Sequence, residues 1–189
     1  MEKADLEGLK LGGERKEATV LFSDIRGFTS MSEKMEPEDV VNLLNTYYDK
    51  KTEIIQNFGG DIDKFVGDEV MAIFKGDQMA NQAVDCAVAI QAEIQRLNRE
   101  LGKNIEIGIG INSGSMVMGA MGSKDRMDFT VIGDNVNLAS RLCSAAKAGE
   151  VIISENTEKL LVDTNSKTIK LDPIQVKGKE KPIQIYRVE

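Results

Sequence analysis

Two aspartates stand where apolar, strand-like runs reach a turn. Asp24 follows Val20-Leu21-Phe22-Ser23 and opens Ile25-Arg26-Gly27-Phe28-Thr29; Asp68 follows Lys64-Phe65-Val66-Gly67. A carboxylate at the rim of a sheet must be solvated, paired or bound to a cation. Two of them on neighbouring strand ends could share a pair of hard divalent cations, an arrangement suited to phosphoryl or nucleotidyl transfer. The turn after Asp24 contains Gly27 and polar neighbours, and backbone N–H groups in such a turn can grip phosphate oxygens. Each aspartate also has a plainer reading. Asp24 could cap the turn that follows it, and Gly67-Asp68 is ordinary hairpin chemistry. A calcium loop starting at Asp61 and Asp63 is excluded, because it would need glycine where Val66 stands and glutamate where Ala72 stands.

A second group lies in Phe129-Thr130-Val131-Ile132-Gly133-Asp134-Asn135-Val136-Asn137-Leu138-Ala139-Ser140-Arg141. Asn137 and Arg141 are four apart, so on a helix they share a face, with Leu138 and Leu142 on the adjacent apolar face. An asparagine donor beside a guanidinium fork can clamp negative charge building on a phosphoryl group, although Arg141 fits a plain surface position equally well. Asp134 or Asn135 can cap this helix. Lys177 sits in the polar Val176-Lys177-Gly178-Lys179 loop, where a lone lysine is usually just solvated.

The elements that must hold these residues follow from periodicity. Ala18 to Ser23 reads as a buried strand. Glu36-Pro37-Glu38-Asp39 starts a helix, with proline in the first turn and acids at the positive end of the dipole. Val40, Leu44, Tyr47, Lys51, Ile55 and Phe58 follow at helical steps, all apolar or aromatic except Lys51, and Gly59-Gly60 ends the helix. Asp61 to Phe65 and Val70 to Phe74 read as two strands of a hairpin. A second long helix is expected from about Gln78 to Leu101, with a buried stripe of Ala83, Ala87, Ile90, Ile94, Leu97 and Leu101, closed by Gly102. Ile105, Ile107, Ile109 and Ile111 alternate with polar or small residues as a strand does. The order strand, helix, hairpin, helix, strand predicts an α+β fold with a ferredoxin-like βαββαβ core. A glycine- and methionine-rich stretch comes next. Beyond it are a strand over Asp128 to Val131, a helix over Asn135 to Ala146, and strands at Val151 to Ser154 and Ile183 to Val188. These are extra C-terminal elements on an antiparallel-dominated sheet. Residues 1–16, charged and containing Gly12-Gly13, read as a linker or lead-in helix, leaving 17–189 as one catalytic domain.

Composition removes several function classes. The net charge of −7 argues against a nucleic-acid binder, which would show a basic face, but leaves room for a nucleotide. The chain has no histidine, so histidine-based triads, dyads and zinc sites are impossible. Cys86 and Cys143 fall in alanine-rich helical stretches and read as buried free thiols of a reducing, cytoplasmic setting. No apolar run approaches the ~20 residues needed to span a bilayer, so this segment is expected to make no membrane contact.

Taken together, these separated motifs resemble the catalytic domain of the class III nucleotidyl cyclases, over residues 16–189. The resemblance implies that Asp24 and Asp68, with the backbone carbonyl of Ile25, hold two divalent cations, Mg²⁺ or Mn²⁺. It implies that Ile25, Arg26, Gly27, Phe28 and Thr29 hold the β- and γ-phosphates. Lys64 and Thr130 match the two base-selecting positions, in the lysine/threonine subgroup that points to ATP, where guanylate cyclases carry glutamate and cysteine. Asn137 would position the ribose, Arg141 would contact the α-phosphate, and Lys177 would contact the terminal phosphates. The family's site is shared by two antiparallel subunits, so a homodimer with two composite sites is expected, joined in the full-length protein to an upstream sensor domain. Threonine at position 130 suggests bicarbonate stimulation by analogy. Guanylate cyclase is the nearest rival, disfavoured by Lys64 and Thr130. Diguanylate cyclase, suggested by Val66-Gly67-Asp68-Glu69, is disfavoured by the Asn137/Arg141 helix and the Lys177 loop. A non-catalytic relative would be expected to have lost a metal aspartate or the arginine, and neither is missing.

Overall fold

The computed structural model describes residues 12–189. Strand β1 (Gly12–Ile25) is followed by the short helix α1 (Phe28–Ser32), helix α2 (Pro37–Asn57), the hairpin β2 (Asp61–Val66) and β3 (Glu69–Phe74), and helix α3 (Met79–Leu101). Next come the long strand β4 (Ile107–Ser123), β5 (Arg126–Ile132), helix α4 (Asp134–Ala145), β6 (Val151–Ser154), helix α5 (Glu155–Leu160), β7 (Thr168–Lys170) and β8 (Ile185–Val188). The sheet runs β2-β3-β1-β4-β6-β8-β7, with β5 paired to β4. Its first four strands are mutually antiparallel and give the expected βαββαβ core, while β6 joins β4 in parallel.

Alternation along β1 distributes side chains to the two faces. Leu21 and Ile25 join the core formed with α2 and α3, alongside Ile107, Ile109 and Ile111. Val20 and Phe22 point the other way and pack with Met116, Val136, Ala139 and Cys143 beneath α4. Asp24 continues the second set, so the strand pleat delivers its carboxylate to the α4 side. Asn98 near the end of α3 bonds both backbone groups of Ile105, at 2.7 and 3.0 Å, and accepts from Tyr47 Oη at 3.1 Å. These bonds seat the entry to β4 against both helices.

Several expectations need correction. Residues 12–16 are not a linker or lead-in helix but the start of β1, paired with the far half of β4 from Gly12↔Ala120 onward. The remainder of that lead-in lies outside the described residues. β4 begins at Ile107 rather than Ile105 and runs through the glycine- and methionine-rich stretch. There Met116, Met118 and Ala120 still alternate inward, but the intervening small residues hide the pattern. On α2 the buried stripe is Leu43, Tyr47, Lys51 and Ile55, with Val40, Leu44 and Phe58 only half-buried. Leu101 is exposed. Helix α5 and strand β7 were not anticipated; both are too short to show a period. No helix among the described residues is long and apolar enough to cross a membrane.

Candidate active site

The Asp68 turn meets the end of β1 next to Asp24. The backbone N–H of Ile25 donates to Asp68 Oδ2 at 2.7 Å, which docks the β2–β3 turn on the end of β1. Among the described residues no three acidic, cysteine or histidine side chains converge into a metal cage. Two carboxylates and the Ile25 carbonyl offer hard oxygen donors that fit Mg²⁺ or Mn²⁺, completed by substrate oxygens and water. A cation already occupies part of this position, since the Arg26 guanidinium pairs with Asp24 Oδ1. Arg26 lies over Gly108 and also donates to the carbonyl of Ala146, at the end of α4, at 2.8 Å. So the Arg26 side chain is committed to the protein, and a phosphate at this turn would meet its backbone rather than this guanidinium. Gly27, in the left-handed conformation, leads straight into α1. The first-turn N–H groups there, around Phe28 and Thr29, have no intrahelical acceptors.

Lys51, the one polar residue on the α2 stripe, is 1 % exposed. Burial pushes its ammonium down to about 8, with the charge of Asp68 pulling the other way. The fall from 10.5 to about 8 corresponds to about 3 kcal/mol of cost for the charged form. We expect Lys51→Met to stabilise the fold by about 2 kcal/mol at pH 7. The folded state binds the Lys51 proton less tightly than the unfolded chain does. The penalty is therefore complete below pH 8 and fades as pH rises towards 10.5. Denaturant melts of the two proteins should differ most at neutral pH and converge through that window. Cys86, pushed up by burial to about 12, runs in the opposite sense but is common to both proteins and cancels in the difference; Cys143, pushed up by burial to about 11, feels the Lys51 charge and cancels only at pH values where its thiol stays protonated.

The second cluster lies in a cleft of about 1540 Å³ between α2, β2 and the β4–β5 hairpin, lined by Asp63, Lys64, Phe65, Met118 and Thr130 among others. Lys64 and Thr130 are joined through a residue that the sequence did not single out as a site. Thr130 Oγ1 donates to Asp63 Oδ2 at 2.9 Å, and Lys64 Nζ lies 3.4 Å from the same oxygen. The Asp63 side chain is 2 % exposed and that of Lys64 is 49 % exposed, so the acid is the buried anchor and the lysine is presented to the cleft. Asp24, Asp68, Asn137, Arg141 and Lys177 do not line this cleft.

The third cluster is built on α4. This helix approaches β4 so closely that a Cβ on Gly110 would sit 2.1 Å from the Cys143 nitrogen, so only glycine permits the approach. The start of α4 is fixed by an unexpected arrangement. Its N-cap is Gly133, with no side-chain cap, and Asn135 instead donates to the carbonyl of Ser115 at 2.9 Å. Asn137 is exposed and Arg141 half-buried. Leu138 and Leu142 pack with Val176, which brings the following Lys177-Gly178 turn to the same helix. Arg141 lies against Gly178, where a Cβ would be 3.5 Å from Nη1; the φ of 86° there also favours glycine.

The whole constellation can be set beside known proteins. The model of the adenylate and guanylate cyclase catalytic domain matches residues 13–189. The chain belongs to that family. A crystal structure of the adenylyl cyclase CyaB from P. aeruginosa superposes with a TM-score of 0.90 at 42% identity, covering 95% of this chain and 96% of that one. The guanylyl cyclase Cya2 does so with a TM-score of 0.84 at 37% identity, covering 94% of each. The adenylate cyclase of Anabaena cylindrica is 38% identical over 197 residues; the match takes in 97% of this chain but only 39% of that protein. Cyclases named for either purine thus share this fold, so the fold alone does not choose the base.

Proposed function

We propose that the chain converts ATP to 3′,5′-cyclic AMP and pyrophosphate at a site shared by two antiparallel copies. The observation that carries this reading is the Ile25 to Asp68 hydrogen bond, which brings the Asp68 turn to the strand end that bears Asp24. Asp24, Asp68 and the Ile25 carbonyl would hold two divalent cations, Mg²⁺ or Mn²⁺, which when bound supply Lewis-acid stabilisation of the attacking and leaving oxygens. The turn from Ile25 to Thr29 binds the β- and γ-phosphates through the N–H groups of Gly27, Phe28 and Thr29, those of Ile25 and Arg26 being engaged with Asp68 and Glu106. Lys64 and Thr130 read the adenine edge: the ammonium donates to N1 and the hydroxyl accepts from the 6-amino group. Asn137 orients the ribose so that its 3′-hydroxyl faces the α-phosphorus in line. Arg141 meets the charge that builds on the α-phosphate, and Lys177 holds the terminal phosphates. The chain has no histidine, so the hydroxyl proton leaves to a carboxylate, a phosphate oxygen or water. Catalysis is then mostly positioning and charge stabilisation. The base-reading cleft is lined by neither Asp24 nor Asp68, which suits a site in which one copy supplies those two carboxylates and the other supplies Lys64, Thr130, Asn137, Arg141 and Lys177. Buried free thiols at Cys86 and Cys143 suit a cytoplasmic setting.

The test is product analysis after incubation with ATP or GTP and Mn²⁺, repeated across protein concentrations. We expect cyclic AMP and pyrophosphate in equal amounts from ATP, with specific activity rising with concentration as dimers form. Absence of a cyclic product, or preferential turnover of GTP, would overturn the reading.

A further inference from the structure

We propose that Asp63 is a positioning residue for base selection: by accepting the Thr130 hydroxyl proton, it leaves that hydroxyl only an acceptor face for the substrate. This rests on the reading of the cleft as the adenine subsite and names what makes that subsite selective. A threonine hydroxyl is by itself ambivalent, able to rotate and either donate or accept. Left free, it could accept from the 6-amino group of adenine or donate equally well to the 6-oxo group of guanine or hypoxanthine. Here it is not free. An ionised carboxylate only accepts, so the 2.9 Å contact with Asp63 Oδ2 commits the hydroxyl hydrogen to Asp63. The lone pairs of Thr130 are left for the ligand and meet an amino group as partners but a 6-oxo group as repulsion. The same carboxylate oxygen lies 3.4 Å from Lys64 Nζ and tethers the second base-reading group, which donates to an unprotonated N1 and opposes an N1–H. The geometry makes this a durable arrangement. The acid is buried, its hydroxyl partner comes from a strand 67 residues away, and rotating that hydroxyl away would strand a buried acceptor. Selectivity here comes as much from what is repelled as from what is bound.

The experiment compares kcat/KM for ATP and inosine triphosphate, which carries the 6-oxo group and N1–H without the 2-amino group of guanine. Both are measured with Mn²⁺ on the full chain. Asp63→Ala should lower the ATP-to-ITP ratio about tenfold, chiefly through a lower KM for ITP, and in a Thr130→Val background it should change that ratio no further. A ratio within about twofold of wild type in folded Asp63→Ala would overturn the assignment. If that variant does not fold, Thr130→Val alone decides. A hydroxyl held as acceptor predicts that valine costs ATP about tenfold and leaves ITP unharmed. Equal losses for both nucleotides would mean that the hydroxyl rotates freely, and would overturn the assignment. A wild-type chain that makes no cyclic product from ATP refutes the adenine reading itself; a wild-type chain that does so, with an indifferent Asp63, refutes only the role given to that residue.

Discussion

Arg141→Ala is expected to lower ATP turnover by ~10²–10³ while weakening nucleotide binding far less. The guanidinium lies half-buried on α4 against Gly178, held in place by a helix that presses directly on β4. Negative charge on the α-phosphate grows only as the 3′-oxygen attacks, so a donor placed for that moment contributes to kcat rather than to ground-state affinity. Steady-state kcat and KM, together with binding of a non-cyclisable ATP analogue, separate the two effects. Turnover close to wild type would remove Arg141 from the chemistry. A loss of binding equal to the loss of rate would make it an ordinary substrate contact.

Mixing two inactive variants should restore activity. In the proposed site Asp24→Ala would remove a metal ligand supplied by one copy and Arg141→Ala the transition-state donor supplied by the other, so each homodimer has two defective sites. In a mixed dimer one composite site carries both lesions and the other carries none. With random pairing of equal amounts, about a quarter of wild-type activity should return. The cleft that holds Lys64 and Thr130 is lined by neither strand-end carboxylate, which supports the proposed division between copies. Heterodimers demonstrated by differential tagging, yet still inactive, would mean that each chain completes its own site.

Much of the site was legible because its residues carry chemistry that local structure alone would not demand. Asp24 and Asp68 interrupt apolar runs, and Asn137 and Arg141 share a helical face beside a leucine stripe. Lys51 stood out in the same way, the one polar residue on an apolar stripe, but the pattern did not disclose that its ammonium is fully enclosed. Asp63 was legible only as one of two acids before a turn. Nothing in the hairpin sequence reveals that Thr130, 67 residues away, will bond to it. β4 was cut short at Ile111 because glycine and serine dilute the alternation in its outer half. That half is held by pairing with both β1 and β5, a long-range cause that no local window contains.

By itself, then, the sequence determined the βαββαβ order, most of the helix faces and the candidate phosphate-handling groups, because helical and strand periods and isolated charges are written locally. Only the tertiary structure decided which side chains meet. Docking of the β2–β3 turn on Ile25, the press of α4 onto Gly110, the reach of Arg26 to the Ala146 carbonyl and the bridge from Asp63 to Thr130 are all contacts between distant segments. Each depends on how the sheet twists and where a backbone leaves room, and these are properties of the packed whole.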